Sequence, residues 1–194
     1  MMHRIENEGM GSPPDIVFQS LFPNLGENDG VQPNSHLLKV GGITLLLDCG
    51  VDESYSLYHL NVIARALTEH QVDYLLLSYA AISQVGALPY LQAQGKLENV
   101  KIMSTSPTSK MASLTMYEYF IQRKELSDFH LFTLFDVEKA FEKVELVSFN
   151  EHRKIKSHMK SEETEIILSA HPSGSAIGGT CWKIEYNKQL IVYA

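Results

Sequence analysis

The chain has 194 residues, 44% apolar and 20% charged, which is the composition of a globular soluble domain large enough to bury a core. A formal net charge of −7 excludes a domain whose whole surface is basic for polyanion binding, and leaves only a local basic patch open. No stretch reaches the ~18 continuous apolar residues of a membrane span, and the opening MMHRIENEGMGSPP lacks the apolar core of a secretory signal, so no membrane association and an intracellular location are expected.

Residues 1–14 read as a disordered tail, polar and ending in Pro13-Pro14. Residues 15–21 follow as a first strand, and 23–33 as a loop rich in Asn, Asp and Gly. Two β-prone runs, 36–40 and 43–48, flank Gly41-Gly42 and predict a hairpin. Leu45, Leu46 and Leu47 are consecutive, so the second strand should be covered on both faces. Residues 54–70 predict a helix, with Leu60, Ile63, Ala64 and Leu67 on one face.

Residues 74–78 predict a buried strand, 86–94 a short helix and 100–103 another strand. Ser106-Pro107 suits a helix start, with Met111, Leu114 and Ile121 directed inward as far as about residue 124. A shorter amphipathic helix over 136–143 and a strand over 144–149 come next. Residues 152–163 read as a charged loop and 164–170 as a strand. The chain closes with a hairpin, 179–186 and 189–194, around Asn187-Lys188. Strands at both ends with helices between them predict an α/β layered domain with a mixed sheet.

The chemistry-bearing residues are sparse in pattern. Cys49 and Cys181 form no CxxC pair and are expected as reduced thiols. The eight histidines include no HxH, HxxH, HxxxH or HExxH spacing. His59 and His70 lie about three helical turns apart, too far to share an ion. Ser173-Gly174-Ser175 is not a GxSxG elbow. The run from Gly174 to Gly179 has no following Lys and leads into a strand, so a phosphate loop is not expected. Arg153, Lys154, Lys156 and Lys160 form the one concentrated basic run and the one candidate RNA contact. Glu162, Glu163 and Glu165 follow at once and weaken its field. Asp48 and Asp52 sit nearest a strand end, where carboxylates either catalyse or close a turn.

Four ordered segments carry a resemblance. They are LLLDCG (45–50), LLSYAAISQVGALPY (76–90), DFHLFTLFDVEKAFEK (128–143) and SGSAIGGTCWKI (173–184), closing with IVYA (191–194). Together they resemble metallo-β-lactamase/β-CASP RNA-processing proteins, from about residue 15 to the end. Within that family the nearer resemblance is to its non-catalytic branch.

The resemblance implies an α/β fold, the N-terminal part of a four-layer αββα metallo-β-lactamase domain over 15–194, cut before the β-CASP insertion of a longer protein. In active members the loop after the strand that corresponds to 74–78 reads His-x-His-x-Asp-His and holds two zinc ions. Those positions are Tyr79, Ala81, Ser83 and Gln84 here, and a later His position is Ser175. Asp48, which supports the metal loop in the family, is retained. Alanine has no donor atom, and neutral hydroxyl and amide groups are poor zinc ligands, so no metal, no cofactor and no catalysis are expected.

The implied role is a non-catalytic subunit of the nuclear pre-mRNA 3′-end cleavage and polyadenylation complex. Its implied partners are a catalytic β-CASP endonuclease subunit, a symplekin-like scaffold, other cleavage factors and pre-mRNA. Two alternatives stand beside it. One is an Integrator-type pseudo-nuclease subunit. The other is a metal-dependent hydrolase with a relocated site using Asp48, Asp52, His171 and residues beyond Ala194.

Overall fold

A computed structural model describes residues 3–5, 16–23, 32–156 and 165–194. In chain order the elements are β1 (His3–Ile5), β2 (Val17–Ser20), β3 (His36–Val40), β4 (Ile43–Leu47), α1 (Leu57–Glu69), β5 (Tyr74–Leu76), α2 (Ile82–Val85), α3 (Leu88–Ala93), β6 (Lys101–Thr105), α4 (Ser106–Leu126), α5 (Leu134–Glu142), β7 (Val144–Val147), β8 (His152–Ile155), β9 (Ile166–Pro172), β10 (Thr180–Tyr186) and β11 (Gln189–Tyr193).

The strands make two sheets. The six-stranded sheet runs β2-β3-β4-β5-β6-β7 and is mixed. Its first three strands pair antiparallel, and the pairs from β4 to β7 are parallel. The five-stranded sheet runs β1-β11-β10-β9-β8 and is antiparallel.

The consecutive leucines of β4 show how the layers stack. Leu46 joins a core with Leu60 and Ile63 of α1, Leu91 of α3, Met116 of α4 and Val137 of α5. Leu45 and Leu47 face the other way, against Ile166, Leu168, Trp182 and Ile184 of the second sheet. A strand with helices on one side and a sheet on the other has no solvent face to keep polar. Helices, mixed sheet and antiparallel sheet are therefore three successive layers.

The closing hairpin turns where expected, with Asn187 (φ 46°) and Lys188 (φ 63°) both left-handed, as a two-residue turn matched to strand twist requires. Helix α1 starts one turn later than its polar flank suggests. Ser56 caps it by accepting from the Tyr58 amide, and Leu60, Ile63, Ala64 and Leu67 are buried as the spacing predicts.

Other expectations are corrected. The helix expected over 86–94 is α3, and a further short helix, α2, precedes it; between the two the Ala87 amide donates to Cys49 O at 2.9 Å. Helix α5 begins ahead of residue 136, since Thr133 and Asp136 form a reciprocal capping box. Ser106 is the first helical residue of α4, and Thr105 precedes it as the cap without a side-chain cap bond.

In α4, Met111, Leu114 and Ile121 are not inward but 49%, 56% and 50% exposed. The buried face is Thr108, Ser109, Ala112, Met116 and Tyr119, whose small residues let the helix lie close on the core. Within 152–163, His152–Ile155 is not loop but strand β8, with Ile155 buried and Arg153 and Lys154 held by carboxylates. Within 1–14, His3–Ile5 is not tail but a strand paired with β11, while the remainder of that segment lies outside the described residues.

Candidate functional site

The loop leaving β5 is held at its base by the turn leaving β4. Asp48 N donates to Leu76 O (2.9 Å), Cys49 N to Gln84 O (2.7 Å) and Val51 N to Ile82 O (3.1 Å). Asn34 N donates to Ser83 O at 2.7 Å from a third segment. Gly50 makes this approach possible: a Cβ there would lie 1.6 Å from Ser83 O. The backbone of residues 82–84 is thus held by backbone-to-backbone hydrogen bonds.

Asp48 is the buried polar centre of this frame. It is fully buried at φ 56°. Its carboxylate accepts from the Ser78 amide (2.7 Å), from the Ser78 hydroxyl and from the Tyr193 hydroxyl (2.7 Å). Burial pushes its pKa from 3.8 to about 7, against the downward pull of those hydrogen bonds. The second sheet adds two ties, Trp182 Nε1 to Leu77 O (3.2 Å) and Thr180 N to Ser78 O (2.9 Å).

The side chains on the frame are poor in ligand atoms. Tyr79 is exposed, and Ala81 has no donor. Ser83 Oγ is spent on Gln84 Oε1 at 2.7 Å. Ser175 is on the exposed 173–178 loop, its Oγ 2.8 Å from Ser173 Oγ. That loop is anchored by Gly178, whose carbonyl accepts from Thr105, Thr108 and Thr180 hydroxyls.

The other residues named for a relocated site have local partners. His171 Nε2 is 3.1 Å from Ser169 Oγ. Asp52 Oδ1 is 2.8 Å from His59 Nδ1, and its other oxygen accepts from Ser54. Burial works against the charge on Asp52, but the bonds from Ser54 and His59 hold its pKa below the usual carboxylate value. That arrangement brackets the start of α1. Among the described residues, no group of three His, Cys, Asp or Glu side chains is placed to hold a metal ion. The donor set does not fit the zinc pair that the family loop carries.

The basic run is partly neutralised. Arg153 is 2.7 Å from Glu151, 3.6 Å from Glu145, and donates to Leu146 O at 2.8 Å. Lys154 is 2.7 Å from Glu165. The backbone carbonyl of Lys156 accepts from Tyr74 Oη at 3.1 Å. Lys160 lies outside the described residues. The ties from Tyr193 and Trp182 had no sequence signal, being fixed only when the two sheets pack.

A metallo-beta-lactamase superfamily domain model matches residues 37–194. The chain belongs to the metallo-β-lactamase superfamily. Among curated proteins it is similar to cleavage and polyadenylation specificity factor subunit 2 of Oryza sativa subsp. japonica, at 36% identity over 85% of this chain and 21% of that protein. It is likewise similar to the probable subunit 2 of Drosophila melanogaster, at 35% identity over 84% of this chain and 21% of that one. The chain thus spans about a fifth of the length of these relatives. The fold is shared with a HARLDQ-motif metallo-β-lactamase of Cronobacter sakazakii, at TM-score 0.52 and 18% identity, over 82% of this chain and 55% of that one.

Proposed function

We propose that this chain is a non-catalytic, scaffolding segment of the nuclear pre-mRNA 3′-end cleavage and polyadenylation machinery. The observation that carries the reading is the loop at 78–84. Its frame is kept by Gly50, Asp48, Ser78 and Tyr193, while Tyr79, Ala81, Ser83 and Gln84 offer no imidazole or carboxylate. The names of the relatives support the pathway. A frame that keeps its packing and drops its ligands retains shape for assembly without the means to activate water.

The proposed partners are a catalytic β-CASP endonuclease subunit and a symplekin-like scaffold. Pre-mRNA contact is assigned to Arg153, Lys154, Lys156 and Lys160. The test has two parts. Purified protein should carry no zinc above background by elemental analysis and cleave no RNA. Tagged protein should co-purify with the endonuclease subunit from nuclear extract. Stoichiometric zinc with RNA cleavage would sink the non-catalytic reading, and absence of the endonuclease would sink the assembly reading.

A further inference from the structure

Beside the 78–84 loop lies an open groove of about 610 Å³, walled by Val51, Tyr79, Ala81, Met111 and Ile177. Its mouth is unusually apolar. Ile177 is 86% exposed, Met111 49% and Tyr79 38%. Leu114, one turn from Met111 on α4, extends the apolar surface at 56% exposure. Large apolar side chains gathered in this way mark an interaction surface more often than scattered ones do.

The charge on the groove decides between occupants. Glu53 is its one charged lining residue. The Glu53 carboxylate makes no ion pair with another described residue, and its backbone carbonyl accepts from Tyr119 and Arg123. No Lys or Arg lines the groove, so nothing there neutralises a phosphate backbone. A base stacked on Tyr79 would bring its phosphates towards a carboxylate. A polypeptide segment has the opposite fit: an apolar side chain fills the groove and a neighbouring cation meets Glu53.

We propose that this groove docks a partner polypeptide segment that presents a large apolar side chain next to Arg or Lys. The volume lies within the roughly 300–1,000 Å³ range of ordinary ligand clefts. The inference rests on the non-catalytic reading, because a working metal centre would need this cleft for water and phosphodiester.

The test is amide chemical-shift mapping of the 194-residue chain. The probes are an amidated peptide with Leu-Phe between two Arg, the same peptide with Glu for Arg, the same with Ser-Ser for Leu-Phe, and an oligouridylate. The Arg peptide should shift the amides of Ala80, Ala81, Thr115 and Ile177. The Glu peptide should bind about fivefold more weakly, and the Ser-Ser peptide should leave these amides unmoved. Ile177→Asp, at an exposed position, should weaken the Arg peptide about tenfold. Glu53→Gln should erase the preference for Arg over Glu peptide. Thermal melts confirm that both variants fold.

Absence of shifts at about 1 mM Arg peptide, equal binding of the Glu peptide, or shifts from oligouridylate at these amides would each overturn the proposal. Zinc content measured on the same sample keeps the two readings separate: failed docking by a zinc-free protein rejects the groove partner alone.

Discussion

Tyr193 and Asp48 are 145 residues apart, yet the tyrosine hydroxyl donates to the buried carboxylate at 2.7 Å. The bond joins β11 of one sheet to the end of β4 in the other. Tyr193→Phe removes one of the three donors to Asp48 and should cost about 1–3 kcal/mol. Chemical denaturation of the variant measures it. A change within error would mean that the inter-sheet bond contributes nothing.

The same carboxylate makes stability depend on pH. Its folded pKa of about 7 stands above the ordinary 3.8, so the native state holds the proton more tightly than the unfolded chain. The contribution is complete below the unfolded pKa and is lost as pH rises through about 7, up to about 4 kcal/mol. Other carboxylates act oppositely. Asp128 beside His130, Glu151 on the Ser148 amide and Glu165 beside Lys154 are held low, and their contributions fade as pH falls. The difference between wild type and Asp48→Asn isolates the contribution of the Asp48 carboxyl. Wild type should lose ground to the variant between about pH 4 and 7, and a flat difference would reject the assignment.

Gly50→Ala should disrupt the loop frame. The new methyl would overlap Ser83 O, and backbone cannot move aside as a flexible side chain would. A loss of about 3 kcal/mol or more is expected, or failure to fold. A variant as stable as wild type would show that the frame yields easily.

Helix α4 offers a paired test of its orientation. Met116→Ala removes a fully buried side chain and should cost about 2–5 kcal/mol, whereas Leu114→Ser, at a 56% exposed position, should fall within about 0.5 kcal/mol. Equal losses would mean that the helix is turned.

Legibility in the sequence followed the range of the forces involved. The Leu45–Leu47 run announced a strand covered on both faces, because three adjacent apolar residues leave no polar face. Asn187-Lys188 announced its turn, because the chemistry is local. The inward face of α4 was not legible, because Ser109 and Ala112 are buried by close approach of the core and not by hydrophobicity. Strand β8 hid behind its charges, which the structure pairs with Glu151 and Glu165. At the site, the missing ligand atoms of Ala81 and Ser83 could be read directly. The groove could not, since Met111 and Ile177 meet only when the 173–178 loop seats on the start of α4.

The pairing of β1 with β11 carries a consequence for biosynthesis. Strand β1 is synthesised before the other described strands and finds its sheet partner only once β11 has emerged. The six-stranded sheet, drawn from β2 to β7, has no such wait. Assembly in two stages follows, with the mixed sheet and its helices formed first and the antiparallel sheet closed once β11 is available.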